Sequence, residues 1–452
     1  MNRRDFILAA TAGAALASPL AGLAKPRTWK PDDKLKVGIL GVGQRGQVHL
    51  SELLRRDDVV VAAICDVDPF MIAKTLDRIA KAGKPKPKVY TGSDQAWREM
   101  YAKSDIDAVF VVTPWELHAP QAIAAMRARI AVACEVVAGI TLDDHWQVLR
   151  TQLETGTPYM LLENVCYRRD VLAVLNMTRQ SLFGEIVHLE GGYQHDLRGV
   201  KFNSGTPGMP YGGGYEFGEK GWSESKWRTA HSVKRNGELY PSHGIGPCAM
   251  QVNINRGNRF TRLTSYASKT RGLHEHIQRG APDHPNAKIA FKLGDVVQTH
   301  LACANGETIL LSHDTSLPRP YSLGFRVQGT RGIWMDLNES IYIEGQAKNE
   351  EEWDSAAPWL DKYDHPLWKR FANDAKDSGH GGMDFFVVNA FVEALRRGEP
   401  MPIDIYDAVT WSAITPLSEA SIADANRTVD FPDFTDGLWQ QRRPIFAFDD
   451  RY

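Results

Sequence analysis

The sequence predicts an α/β chain in two parts: a doubly wound parallel sheet, then an α+β domain with a mostly antiparallel open sheet. Three observations carry that prediction. Residues 35–46 pass from a short apolar run into G-x-G-x-x-G and on into a helical pattern. Apolar strand-like runs then alternate with helical ones up to residue 163, and alternating βαβ units imply a parallel sheet. After Asn164 the runs alternate in polarity residue by residue, as strands with one wet face do. The expected divisions are 1–30, 31–163 and 164–452.

The first division reads as a targeting segment. "MNRRDFILAATAGAALASPLAGLAKP" pairs Arg3 with Arg4 ahead of an Ala-rich apolar stretch, and Gly22-Leu23-Ala24 offers a cleavage site. This resembles a twin-arginine export signal, which implies a periplasmic or extracellular destination. The alternative is a short membrane anchor. The run barely reaches the ~20 residues a span needs, and Ala, Gly and Pro19 dilute it. No stable membrane span is therefore expected after cleavage. Five cysteines with no C-x-x-C pair read as free, mostly buried thiols.

In the second division, Leu35 to Leu40 is a strand and Gly41-Val42-Gly43-Gln44-Arg45-Gly46 is the turn. Gly41 allows the tight bend, Gly43 lets backbone approach a pyrophosphate, and Gly46 lets helix and strand pack closely. The helix that follows points free N–H groups at phosphate. A second strand, "VVVAAICDVDP", ends at Asp66, twenty residues after Gly46. This is the Rossmann pattern. A carboxylate at Asp66 can accept from both ribose hydroxyls. At ~5 Å and an effective dielectric of ~20, each negative charge of a 2′-phosphate would cost roughly 3 kcal/mol beside it. The expected cofactor is NAD rather than NADP. The plainer reading makes Asp66 a helix cap in an ordinary turn.

Further strands end at Thr113-Pro114, at Glu135 and at Glu163-Asn164. Ligands of such sheets sit at the carboxyl ends of the strands. Trp115, Glu116, Leu117, His118, Glu135, Val136, Glu163 and Asn164 all fall there.

In the third division, "DVLAVLNMTRQSLF" reads as a helix and "IVHLEGGYQHDLR" as a strand. Residues 199–226 form a long Gly-, Pro- and aromatic-rich loop. Its Tyr211, Tyr215, Phe217 and Trp222 either face a sugar ring or pack on one another. "LYPSHGIGP" sets Tyr240 and His243 three apart on what its prolines and glycines suggest is stiff, irregular backbone. Five further alternating runs suggest the antiparallel sheet. "MDFFVVNAFVEALRRG" and "IYDAVTWSAITPLSEASIADAN" read as amphipathic helices packed on the body. His274-Glu275-His276, taken as strand, would turn both imidazoles one way. No companion ligands are evident, so no metal site is expected. A net charge of −2 without a long basic run argues against a nucleic-acid partner.

A nucleotide half followed by an open-faced α+β half resembles the glucose–fructose oxidoreductase and inositol dehydrogenase superfamily. Those enzymes usually carry Glu-Lys-Pro where this chain reads Glu135-Val136-Val137. Valine moves no protons, so that lysine's role is vacant here. With "GVGQRG", "CDVDP", "TPWELH", "CEV", "LLENVCY", "GEIVHLEGGYQHDLR", "NGELYPSHGIGP", "INRGNRF", "SLPRPYS" and "HGGMDF" in order, the chain resembles glycoside hydrolase family 109, the NAD-dependent α-N-acetylgalactosaminidases. Leu117, Val137 and Ser242 depart from that family's common Trp, Pro and Thr.

The resemblance implies a glycan substrate and a tightly bound, recycled NAD touching Gln44, Arg45, Asp66, Trp115 to His118, Glu135, Val136 and Asn164. It places the sugar against Glu163, Tyr193, Arg228, Tyr240, Pro241, Ser242, His243 and Tyr321. It implies oxidation of the sugar at C3, loss of the C2 proton with departure of the C1 oxygen, addition of water at C1, and reduction back. This route is an exception to the usual two-carboxylate chemistry. His243 would take the C3 hydroxyl proton. Tyr193 or Glu163 would handle the C2 proton or the leaving oxygen, and Tyr240, Arg228 and Tyr321 would orient the ring. Two rival readings are an NAD-dependent sugar or cyclitol dehydrogenase and a non-catalytic sugar-binding protein. The exact sugar, and any homo-oligomer, stay open.

Overall fold

The computed structural model describes residues 29–452 apart from Pro31, so the twin-arginine reading lies outside the described residues. Six strands form the first sheet: β1 (Leu35–Leu40), β2 (Val59–Cys65), β3 (Lys88–Tyr90), β4 (Ala108–Val111), β5 (Ala131–Cys134) and β6 (Tyr159–Leu161). Their order is β3-β2-β1-β4-β5-β6, and every ladder is parallel. The strands are short and apolar because helices cover both faces. The order reverses between β1 and β4, and a crevice opens at such a switch point.

Nine strands form the second sheet: β7 (Ile186–Gln194), β8 (Phe260–Ala267), β9 (Val296–Cys303), β10 (Thr308–Asp314), β11 (Arg326–Gly329), β12 (Gly332–Met335), β13 (Ser340–Ile343), β14 (Asp354–Ser355) and β15 (Val429–Asp430). Their order is β14-β13-β12-β11-β7-β10-β9-β8-β15. All ladders are antiparallel except β7–β10, which is parallel. Alternating burial along β9 shows the one-faced pattern read from the sequence.

The C-terminal helices tie the halves together. Phe391 of the helix Met383–Arg397 meets Phe110 of β4 ring to ring at 5.4 Å. The helix Ile405–Ala423 packs on the helix Leu142–Thr155. Each begins a well-capped turn: Thr141 with Asp144, and Asp404 with Asp407, form capping boxes.

Three local expectations need correction. Residues 242–251 are helical, not irregular: Pro241 precedes the helix Ser242–Gln251, since proline is tolerated where the first N–H groups need no partner. His274 and His276 lie on the helix Gly272–Gly280, not on a strand. Two positions apart on a helix they point to nearly opposite sides, and no metal-ligand cluster occurs among the described residues. The 199–226 stretch holds short helical turns and bridges about Asn203. Tyr215 and Phe217 pack against an apolar cluster with Phe202 and Phe291, which leaves only Tyr211 and Trp222 of the loop's aromatics facing a cleft. All five cysteines are buried and free.

Candidate active site

The crevice at the switch point is a cleft of about 570 Å³. Gly41 bends the chain at φ +89°, and a Cβ there would meet the Val112 carbonyl at 2.4 Å. A Cβ on Gly46 would stand 2.2 Å from the Gly41 oxygen, so this glycine serves helix–strand packing rather than the ligand. Gly43 faces open space, as backbone that must approach a phosphate should. Asp66 accepts the Val42 N–H at 2.7 Å and the Asp68 N–H at 2.8 Å. Burial pushes its carboxyl up, while those backbone donors favour the charge. The Val67 N–H is a further backbone donor to it; a carboxylate offers about four acceptor positions, so capacity remains for a ribose hydroxyl.

Gln44, Arg45, Trp115, Leu117, His118, Glu135, Val136 and Asn164 line the same cleft. Glu116 does not: it turns to His231, 3.3 Å away. His118 is held between the Val137 and Thr113 carbonyls at 2.6 and 2.7 Å.

Beneath the cleft lies a buried charge knot. Arg45 bridges Glu135 at 2.6 Å and Asp384 at 2.7 Å. His49 reaches Glu135 at 2.7 Å, and Asp384 also holds His380 at 2.6 Å and the Asn164 amide at 2.8 Å. Burial is the largest single effect and opposes both carboxylates, but Arg45 together with His49 at Glu135, and with His380 and His49 at Asp384, holds them well below the usual range. His49 is driven down by burial and then by Arg45. Asn164 leaves its side-chain oxygen buried without a partner, an acceptor suited to a nicotinamide amide. Open backbone at Gly43, spare acceptor capacity on Asp66 and this orphan oxygen together fit NAD.

A second cavity of about 640 Å³ adjoins the cleft, and Tyr193, His243 and His380 line both. His243 sits in the first turn of its helix, with Nδ1 2.9 Å from the Glu163 carboxylate. Glu163 is fully buried and also takes the Val165 N–H at 3.0 Å. It lies behind His243 and lines neither cavity. Pro241 and Ser242 likewise line neither, and the Ser242 hydroxyl is buried without a partner.

The helix comes this close to β7 because glycines meet there. A Cβ on Gly244 would fall 2.5 Å from the Gly192 nitrogen and 2.7 Å from its Cα. Gly244→Ala is therefore expected to cost about 1–3 kcal/mol and to lower turnover by displacing His243. A thermal melt and an initial-rate assay check both.

Tyr193, on β7, stacks obliquely on Tyr240 at 4.7 Å and meets His243 edge-on at 5.3 Å. Burial raises its phenol pKa, against the pull of Arg228. Arg228 lies over the Trp115 and Tyr240 rings at 5.1 and 5.0 Å and is fixed by Glu224 at 2.6 Å. Burial also raises the pKa values of Tyr240 and Tyr321; Tyr321 is half exposed at the rim.

Sequence reasoning missed His195 and His380. The His195 Nδ1 is 3.2 Å from the Tyr193 hydroxyl; His195 lies one residue past β7, where its N–H still bonds the Asp314 carbonyl, and two residues apart on extended chain they share a face. That spacing, Tyr-x-His, was the available signal. His380 stands at φ +50°, followed by Gly381 at +67° and Gly382 at +100°. Left-handed backbone at a non-glycine residue clusters at functional sites, and His-Gly-Gly was the sequence hint.

Glu238 shapes the site from below. One oxygen takes the Tyr240 N–H at 3.0 Å, the other has no partner, and burial pushes the carboxyl up to about 8. Between the ordinary carboxyl value and about 8 the unfolded chain ionises while the folded one keeps its proton. Stability therefore falls as pH rises through that window, by at most about 1.4 kcal/mol per pH unit. Glu238→Gln should flatten the fall in melting temperature between about pH 5 and pH 8; an unchanged slope would contradict it.

The comparisons with known proteins agree with this geometry. Residues 35–160 match the oxidoreductase family with an NAD-binding Rossmann fold, and residues 167–441 match the C-terminal domain of glycosyl hydrolase 109. A glycosyl hydrolase family 109 protein of Stenotrophomonas maltophilia is 63% identical over 100% of this chain and 99% of its own. An alpha-N-acetylgalactosaminidase of Tannerella forsythia is 47% identical over 99% of each. Among solved structures, levoglucosan dehydrogenase with NADH and levoglucosan superposes with TM-score 0.65 at 19% identity, covering 89% of this chain and 100% of that one. Scyllo-inositol dehydrogenase of Lactobacillus casei with NAD(H) and scyllo-inositol gives 0.59 at 14%, covering 88% and 99%. At such identities the solved structures share the fold alone. The chain belongs to glycosyl hydrolase family 109, an NAD-dependent glycoside hydrolase family set on a dehydrogenase fold.

Proposed function

We propose that this chain removes terminal α-N-acetylgalactosamine, or a closely related sugar, by oxidation at C3, elimination, addition of water and reduction, with no net redox change. One observation carries the reading: the dinucleotide cleft and the sugar cavity meet at Tyr193, His243 and His380, while Val136 stands where a dehydrogenase lysine would. The Tannerella forsythia relative supports the choice of sugar. When bound, NAD supplies a hydride acceptor at C3 and later the hydride that restores it.

The chain's own residues handle the protons. Glu163 accepts the His243 Nδ1–H and so leaves Nε2 free to take the C3 hydroxyl proton. Tyr193, whose phenol burial pushes up against the pull of Arg228, with His195 placed to take its proton, serves the acidified C2. His380, oriented through Nδ1 by Asp384, presents its other nitrogen toward the leaving oxygen. Tyr240, Arg228 and Tyr321 orient the ring. Hydrolysis of an aryl α-N-acetylgalactosaminide without accumulating NADH is the expected assay result. Steady NADH formation from free sugars would instead establish a dehydrogenase.

A cofactor that is never spent suits the export route read at the N-terminus: the protein can fold around NAD and leave the cytoplasm loaded. No helix among the described residues is long and apolar enough to cross a membrane. Protein recovered after export should carry NAD; an empty site in it would contradict this.

A further inference from the structure

We propose that residues 203–227 form a second, built wall of the dinucleotide site, and that the Trp222–Asp68 contact sets how slowly NAD leaves it. The inference rests on the NAD reading above and adds residues that the Rossmann pattern does not contain.

Asp68 and Trp222 come from different halves of the chain. The indole Nε1–H donates to Asp68 Oδ2 at 2.8 Å. The Trp222 ring also meets Phe70 edge-on, with centroids 5.7 Å apart at 89°. Gly208, at φ +86°, brings its backbone onto the same Phe70 ring, so that a Cβ there would stand 3.0 Å from Cζ. Asp68 is itself tied to Asp66, whose carboxylate takes its N–H. The loop is therefore fastened beside the carboxylate expected to read the ribose.

The wall is internally braced. Asn203 is fully buried, donates to the Trp222 carbonyl at 2.7 Å and accepts the Trp222 N–H at 3.1 Å. Its backbone pairs with Glu216 in both directions, at 3.2 and 2.9 Å. Trp222 is only 4% exposed. From this frame Tyr211, Trp222, Ser223 and Glu224 line the same cleft as Gly43 and Asp66. Glu224 also holds Arg228, which lines the same cleft. A dinucleotide lying between the two halves leaves only when this wall moves, and breaking the latch makes that easier. A dehydrogenase must release its reduced cofactor at each turnover. A cycle that returns its hydride gains from slow release.

The test uses the full-length protein loaded with unlabelled NAD and exchanged against excess isotopically labelled NAD, sampled by rapid gel filtration. Trp222→Ala should speed exchange about tenfold or more, because such contacts act chiefly on dissociation. Trp222→Phe keeps the ring and loses the donor, and Asp68→Asn keeps a good helix cap; both should speed exchange severalfold while melting like wild type. Wild-type exchange rates in Trp222→Phe and Asp68→Asn, with Trp222→Ala also unchanged or unfolded, would overturn the wall. A wild type that neither carries nor takes up NAD would overturn the cofactor reading beneath it.

Discussion

His243→Ala is expected to lower turnover on an aryl α-N-acetylgalactosaminide by roughly 10²–10⁴, the range for a positioned acid or base. The imidazole lines both cavities and holds the Glu163 carboxylate, which lines neither, so Glu163 acts on a ligand through it. Glu163→Gln should therefore also lower kcat. The double variant should be little worse than His243→Ala, because residues that act as a unit are not additive. A double variant whose loss equals the product of the single losses would show two independent roles. Bound NAD should persist in all three, which separates lost chemistry from a lost cofactor.

The largest stability effect is expected at Arg45. It is the shared cation of Glu135 and Asp384, and both carboxylates are almost wholly buried. Arg45→Met leaves those two charges with no fixed cation, facing His49, His380, the Asn164 amide and the Val136 N–H. Removing one member of such a network costs about 3–5 kcal/mol, most of it the penalty of an uncompensated buried charge. The same knot fixes a pH response. Both folded-state pKa values are depressed, so the stabilisation is fully present above the ordinary carboxylate range and is lost as pH falls below it toward the folded values. Denaturant melts at neutral and acid pH should show the variant far weaker near neutrality and the gap closing in acid. A gap that stays constant would remove Arg45 from the account of acid stability.

Much of this fold was legible because its signals are local. The Gly41–Gly46 turn, Asp66 at the end of β2, and Trp115, Leu117, His118, Glu135, Val136 and Asn164 beyond later strands all follow from one repeating unit. Each of these except the buried Val42 and Gly46 lines the cleft. Gly46 fills the packing role its position assigns. The sugar side was legible only in part, because its geometry is made by distant pieces. His243 needs Glu163, eighty positions earlier. His380 needs Asp384, and both need Arg45 from the first helix. His380 and Asp384 are four apart, but no spacing rule couples His243 to Glu163 or either partner to Arg45. The Pro241 and glycine content also misled: proline opens the helix Ser242–Gln251, and Gly244 is there for contact with β7 rather than for flexibility. Trp222 read as a loop aromatic, and only the fold shows it bonded to Asp68.

The central claim is that hydrolysis proceeds through loss and return of the C2 proton. Its most direct test is to run the aryl α-N-acetylgalactosaminide reaction in D₂O and follow the released sugar by NMR. The account predicts deuterium at C2 of the released sugar with no net NADH. Release of sugar that keeps its original C2 hydrogen would contradict the elimination, and with it the roles proposed for Tyr193 and His380.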